Sequence, residues 1–139
     1  MSIEEKQHLK ETTYTEAMRY MDNAVTLLKE KGQKDGNHYR DIKYVKMACG
    51  TAYSAALLAL DAYLAIKGTT IEKKKHQRKS VDDYKRILSR IDRKALDEYI
   101  DTYNILHLSG YYDGINKVDI IWSGLESAQY IVNRIKPRA

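Results

Sequence analysis

The centre of this chain is an uncharged segment, residues 47–60, in a sequence where 31% of residues are charged. It lies within a proline-free, Ala- and Leu-rich stretch, about residues 39–67, that favours a helix. A helix that is apolar on most sides must be covered on most sides. Fourteen residues reach about 21 Å at 1.5 Å per residue, which is short for a bilayer. The segment therefore predicts the central helix of a helical bundle.

Helical periodicity also precedes the central helix. Residues 13–16, Thr-Tyr-Thr-Glu, match a capping box in which Thr13 is the N-cap and Glu16 reaches back to it. Apolar residues then follow at helical spacing as far as Gly32, which is expected to end this first helix. Residues 1–11 are expected to be frayed, and Asp35-Gly36 predicts a turn.

The second half of the chain predicts further helices. Ser80 followed by Val81-Asp82-Asp83 is typical of a helix start, and Asp92 is placed to cap a new helix. Whether residues 80–109 form one bent helix or two stays open. Residues 110–114 predict a turn, and a last helix follows with apolar residues in steps of three and four until Pro137.

These patterns define the expected architecture of the whole chain. Its 139 residues fit a single domain, 1–139. Helical periods joined by short links predict an all-α fold, an up-down antiparallel four-helix bundle with one short extra helix. Cys49 is the single cysteine and is expected to be a buried apolar residue. The polar N-terminus shows no apolar signal core, so a cytoplasmic bacterial protein is expected.

Positive charge is concentrated between Lys67 and Lys94, where eleven Lys and Arg face four Asp and Glu, while the whole chain carries +5. This distribution predicts either a contact surface for phosphate groups or a solvated basic segment. A membrane surface is not expected as a partner, because no apolar face adjoins the segment. The candidate nucleic-acid or partner-binding residues are Lys73, Lys74, Lys75, Arg78 and Lys79.

Aromatic usage is the other unusual feature, with twelve Tyr, one Trp and no Phe. Tyrosine suits half-buried positions at helix seams, at the wall of a cleft or at a subunit interface. A di-iron type of site in a bundle would need two Glu-x-x-His motifs, and the chain offers one, Glu5 to His8, so no metal and no cofactor are expected.

Asn104 and His107 are the weak catalytic candidates. A spacing of three residues places them on neighbouring faces of an α-helix, and a neutral imidazole can act as a general base or acid near pH 7. The alternative is a buried or half-buried histidine whose ring is hydrogen-bonded by a tyrosine hydroxyl.

The helical plan resembles the HEPN superfamily of small bacterial helical domains over about residues 12–135. The similar features are the Tyr- and Ala-rich residues 53–60, the stretch from His76 to Tyr84, and Tyr111-Tyr112-Asp113 before the last helix. Ribonucleases of this superfamily carry an Arg followed, after four to six intervening residues, by a His, often with Asn or Asp between. Asn104 and His107 match the last two elements. The positions for the Arg hold Ile100, Asp101 and Thr102.

The resemblance therefore implies a non-enzymatic member that binds a macromolecular partner, either RNA or a nucleotidyltransferase, and that often forms a homodimer. Two alternatives remain open at this point. One is a degenerate, metal-independent ribonuclease that uses His107. The other is a homodimeric bundle with a purely structural role.

Overall fold

The computed structural model describes residues 1–69 and 80–138. This part of the chain is all-α apart from a hairpin of two very short strands. The elements in chain order are α1 (Ile3–Lys31), β1 (Lys34–Asp35), β2 (His38–Tyr39), α2 (Ile42–Ile66), α3 (Val81–Ile91), α4 (Arg93–Thr102), a π-helix (Tyr103–Tyr112) and α5 (Val118–Asn133).

Helix α2 forms the centre of the fold, as the uncharged segment predicts. It packs against α1, the π-helix and α5. Its fully buried positions are mostly alanines, which let the neighbouring helices approach closely: Ala48, Cys49, Ala52, Ala55, Ala56 and Ala59. Burial raises the pKa of the Cys49 thiol to about 12, so this cysteine is an unreactive core residue, as expected.

The full length of α2 also bears on the membrane question. At 25 residues it is longer than the uncharged segment at its centre. By length and composition it is the one helix, within residues 1–69 and 80–138, that could cross a bilayer. Just over half of its apolar window is buried against the rest of the protein. A core helix of a globular protein has the same properties, so this observation decides nothing about location.

The start of α1 differs from the prediction. The helix begins at Ile3, and Ser2 is its N-cap: Glu5 N donates to Ser2 Oγ at 3.0 Å, and Ser2 N donates to Glu5 Oε1 at 3.3 Å. The capping box predicted at Thr13 is therefore wrong, and residues 3–11 are helical rather than frayed. Both segments fit the capping pattern, but no Gly or Pro separates them, so a helix nucleated at Ser2 continues through Thr13.

The end of α1 and the turn that follows agree with the prediction. Gly32 is the C-cap of α1 and donates its N–H to Leu28 O. A Cβ at Gly32 would lie 2.7 Å from Tyr39 Cδ1, so only glycine fits against that ring. Gly36, with a φ of 61°, forms the predicted turn between β1 and β2. This hairpin brings the chain into α2.

The segment after residue 80 contains two helices rather than one bent helix. Ser80 caps α3 in a capping box with Asp83, which confirms the predicted start. Asp92 adopts an extended backbone, φ −157° and ψ 90°, which breaks the helix. Its side chain then accepts from Ala95 N and starts α4, as predicted.

The predicted turn at residues 110–114 begins later than expected. The chain from Tyr103 to Tyr112 continues helically with π-type hydrogen bonds. The turn is confined to Asp113 and Gly114, where Gly114 has a φ of 68°. A Cβ at Gly110 would lie 2.5 Å from Cys49 Sγ, so the π-helix approaches α2 too closely for any other residue there. This contact with α2 extends the helix past the glycine that the sequence marks as its end.

Candidate binding groove

An open groove of about 490 Å³ lies between α1, α2 and the π-helix. Tyr20 comes from α1, and His107 and Tyr111 come from the π-helix. The remaining wall is one face of α2, from Met47 through Gly50 and Ser54 to Leu57. Among residues 1–69 and 80–138, those that line the groove include no Lys, Arg, Asp or Glu. The groove is therefore an uncharged, largely aromatic surface.

His107 lies at the centre of a cluster of aromatic rings. Its ring stacks on Tyr53, with centroids 4.6 Å apart and planes inclined by 24°. Tyr103 and Tyr111, four residues before and after it, lie 5.4 and 6.1 Å away. Tyr112 meets the imidazole edge-on at 5.0 Å. The cluster continues outward to solvent, because Tyr111 is 46% exposed and Tyr112 is 61% exposed.

The imidazole of His107 is poised as a neutral hydrogen-bonding group. Burial lowers its pKa below the ordinary value of 6.5, so the neutral form predominates at pH 7. A neutral imidazole has one N–H donor and one nitrogen acceptor. Among the residues that the structure describes, none forms a hydrogen bond to this ring. Both groups are therefore available to a molecule in the groove.

A second layer of tyrosines supports the cluster from below. Tyr53 and Tyr99 hydroxyls are 3.2 Å apart, and Tyr84 donates to Asp61 Oδ1 at 2.6 Å. Burial raises the pKa of Tyr53, Tyr84 and Tyr99, so their hydroxyls stay protonated. These hydrogen bonds fix the ring of Tyr53, on which His107 stacks.

The structure separates the two catalytic candidates. His107 lines the groove, whereas Asn104 is exposed and does not line it. The separation follows from the helix type, since hydrogen bonds from i to i+5 give a wider turn than the 3.6 residues of an α-helix. Three residues therefore leave Asn104 and His107 further apart around the axis than the sequence analysis assumed.

The predicted basic residues lie outside the described residues. These are Lys73, Lys74, Lys75, Arg78 and Lys79. Two described lysines flank the aromatic cluster instead. Lys85 Nζ is 5.9 Å from the centroid of the Tyr103 ring, and Lys46 Nζ lies 3.9 Å from the position of a Cβ on Gly114, at the other end of the π-helix.

Most of the residues that line the groove were not predicted from the sequence. It treated the tyrosines as one class and did not single out Tyr20, Met47 or Tyr53. The sequence did contain one indication of the groove. Tyr103, His107 and Tyr111 follow one another at intervals of four residues, which places three rings on one helix face.

Within residues 1–69 and 80–138, no group of three His, Cys, Asp or Glu side chains could hold a metal ion. In the Glu5 to His8 motif, Glu5 is occupied as the reciprocal partner of the Ser2 cap.

Fold and groove together define a class: an all-α protein with an open, uncharged aromatic groove beside its central helix. Residues 12–137 match the family described as Domain of unknown function (DUF5618), and the chain belongs to this family. It is also similar to the solved structure of a protein of unknown function from Dyadobacter fermentans. That chain is 39% identical with a TM-score of 0.79, and the match covers 90% of this chain and 94% of that one. No curated protein matches the chain.

Proposed function

We propose that this protein is a non-enzymatic, HEPN-like module that binds single-stranded RNA as its macromolecular partner. The observation that carries the proposal is the aromatic cluster around His107, which ends in two solvent-exposed tyrosine rings beside an open groove. Proteins that bind single strands combine such rings, on which bases stack, with a positively charged surface.

The charge of the protein supports a nucleic-acid partner. The chain carries +5 and has a pI of about 9.1, which is typical of nucleic-acid-binding domains. Its most basic segment, residues 73–79, follows α2 in the sequence. Leu57, at one end of the groove, is nine residues before Ile66, the last residue of α2. The end of the helix therefore lies about 14 Å from the groove at 1.5 Å per residue. Lys85 extends the positive charge to Tyr103 itself.

Binding is favoured over cleavage by the groups that the groove lacks. Phosphate cleavage requires stabilisation of the charge that develops in the transition state, usually by Arg or Lys. Within the described part of the chain no Lys or Arg lines the groove, Thr102 is buried with its hydroxyl donating to Glu98 O, and Asn104 is exposed and does not line the groove.

The second candidate function is a degenerate ribonuclease that uses His107. The neutral imidazole favours it, since such a group can accept a proton near pH 7. Shortening of labelled RNA by the purified protein, abolished by His107→Ala, would replace the binding proposal by this one.

We also propose that the helices of this module are arranged as an up-down antiparallel bundle. Helices α1 and α2 pack along each other and are joined by residues 32–41 alone, and α5 packs on both α2 and α4. Short connections of this kind favour antiparallel neighbours. A homodimer, a nucleotidyltransferase partner and a cytoplasmic location complete the proposal, and they rest on the resemblance to HEPN domains.

The exposed rings supply the first prediction. Replacing Tyr111 and Tyr112 together by alanine is expected to weaken binding of a single-stranded RNA at least tenfold, because each stacked base contributes about 1–3 kcal/mol. Fluorescence anisotropy with a labelled oligonucleotide measures the change. The double replacement by phenylalanine keeps both rings and is expected to bind like the wild type.

Tyr44→Ala is the matched control, since Tyr44 lies on α2, contacts Lys43 and does not line the groove. If Tyr44→Ala weakens binding as much as the double alanine variant, the groove is not the stacking surface.

The basic segment supplies a second prediction. Reversing Lys73, Lys74, Lys75, Arg78 and Lys79 to Glu is expected to abolish salt-sensitive retention of RNA, because each lost phosphate contact removes counterion release. Gel retention across a salt series measures both the affinity and its salt slope. Unchanged retention would remove these five residues from the interface and leave the groove as the binding surface.

A further inference from the structure

We propose that the groove is a pocket for one unpaired nucleobase of the RNA strand, stacked on the aromatic rings and hydrogen-bonded at its edge by His107. This inference rests on the proposed RNA-binding function and states which part of the RNA enters the groove. Three features of the groove carry it: its lack of charge, its unused hydrogen-bonding groups and its position between two lysines.

The lack of charge selects a neutral group. An ionised group that entered the groove would lose hydration without gaining an opposite charge, which is costly. The hydroxyls of Thr51 and Ser54 donate to carbonyl oxygens of their own helix, at 2.8 and 3.0 Å, so they face the groove as acceptors. A phosphate, which offers acceptors only, finds no partner in these two side chains. A nucleobase is neutral and has N–H donors at its edges.

The shape and chemistry of the rings select a planar group. Tyr53, His107 and Tyr111 present aromatic faces, and planar rings prefer offset-stacked or edge-to-face contacts with one another. The nitrogens of His107, which form no hydrogen bond within residues 1–69 and 80–138, provide one donor and one acceptor beside those faces. Because every base has a π-face, such a site tolerates all four bases and favours the larger purines.

The described lysines fit the phosphates on either side of a bound base. Lys46 lies next to Gly114 at one end of the π-helix, and Lys85 lies over Tyr103 at the other. Neither lysine forms an ion pair with a carboxylate of the described residues. A nucleotide within a strand has a neutral base with a negatively charged phosphate on each side. The groove offers the complementary arrangement, an uncharged surface with a lysine on each side. A free aromatic metabolite or an apolar helix would not use both lysines.

Gly50 offers a way to test the pocket without disturbing the core. It lines the groove, and a Cβ placed on it would lie 3.1 Å from Tyr111 Cδ2. Gly50→Leu is therefore expected to fill the groove and displace Tyr111. Replacing a helical glycine favours the helix itself, so the variant should remain folded. Ala65→Leu places the same side chain at an exposed position of α2 far along the helix and is the matched control.

The experiment compares two labelled single-stranded RNAs of equal length and charge by fluorescence anisotropy. One is an adenosine oligonucleotide, and the other carries abasic ribose at its central positions. The wild type and Ala65→Leu are expected to bind the adenosine oligonucleotide about tenfold more tightly than the abasic one. Gly50→Leu is expected to bind both equally, at the abasic level. His107→Phe keeps an aromatic ring but has no ring nitrogen. Its preference for the adenosine oligonucleotide over the abasic one is therefore expected to fall about threefold.

Any other result would overturn the inference, and the result itself shows whether the base pocket alone or the RNA-binding function as well is wrong. Equal binding of both oligonucleotides by the wild type would leave the RNA-binding function standing and remove the base pocket. A preference that survives in Gly50→Leu would place the base elsewhere. No binding of either oligonucleotide would remove the proposed function together with the pocket. A dimer in light scattering that Gly50→Leu converts to a monomer would make the groove a dimer interface instead.

Discussion

Leu106→Ala is expected to lower the free energy of unfolding by about 3 kcal/mol, the largest effect of any single replacement proposed for this protein. Leu106 is 0% exposed and lies in the π-helix. Its Cδ2 would be 2.9 Å from a Cβ on Gly124, so it packs directly on the backbone of α5. A glycine has no side chain with which to fill the space that the leucine leaves. The cavity should therefore persist and give a full cavity cost.

Chemical denaturation followed by far-UV circular dichroism measures this loss. Leu108→Ala is the matched control, because Leu108 lies two residues further along the same helix and is 37% exposed. Its replacement is expected to change stability by no more than about 0.5 kcal/mol. Equal losses for the two variants would show that the π-helix does not pack as described. Since Leu106 precedes His107 in the same helix, RNA binding should be measured at a temperature where the variant is fully folded.

Asp92→Ala is expected to destabilise the protein by about 2–3 kcal/mol, because one carboxylate joins three elements. It caps α4 through Ala95 N, accepts from Tyr63 Oη of α2 at 2.7 Å, and accepts from Arg134 after α5 at 3.1 Å. The Asp92 side chain is 11% exposed and that of Arg134 is 34% exposed, so the ion pair is partly screened. Loss of the cap alone costs about 1 kcal/mol, and the unpaired Tyr63 and Arg134 add to it.

The same carboxylate predicts a pH dependence of stability. Burial acts to raise the pKa of Asp92, but the hydrogen bonds from Tyr63 and Ala95 and the charge of Arg134 together lower it below its ordinary value of 3.8. A lowered pKa in the folded state means that the stabilisation is complete above the ordinary value. It is then lost as the pH falls through the folded-state pKa, below about pH 4.

Asp92→Asn separates the cap from the charge. Asparagine is a good N-cap, so this variant should keep the Ala95 hydrogen bond and lose less stability than Asp92→Ala. It should also lose less stability than the wild type on acidification below pH 4. Urea denaturation at pH 7 and at pH 3 tests both statements. Asp97→Ala is the control, since Asp97 forms a long, exposed pair with Arg93 and should be nearly neutral. A loss for Asp97→Ala equal to that for Asp92→Ala would contradict the proposed role.

The predictions from the sequence agree with the structure where the interacting residues are close together in the chain. Ser80 with Asp83, and Asp92 with Ala95, are hydrogen-bonded across three residues, so the sequence contains both partners of each cap. The same reasoning failed at Thr13, because a second match to the pattern at Ser2 starts the helix earlier. Local chemistry identifies possible helix starts. Which of two starts is used depends on whether anything interrupts the chain between them.

The candidate site depended on longer-range contacts. The step of four between Tyr103, His107 and Tyr111 was visible, but the chain gave no sign that Tyr53 would stack on His107. Nor did it show that Gly110 would meet Cys49 inside a helix that continues to Tyr112. These pairs are more than fifty residues apart in the chain.

By itself, the sequence determined that this protein is helical and that α2 is its centre, because an uncharged segment in a highly charged chain must be buried. It also determined where several helices begin, since a cap needs only neighbouring residues. The tertiary structure decided the helix type between Tyr103 and Tyr112, the groove beside it and the rings that line it. Those features exist only where distant segments are packed together, and packing depends on the shapes of surfaces that a linear pattern does not contain.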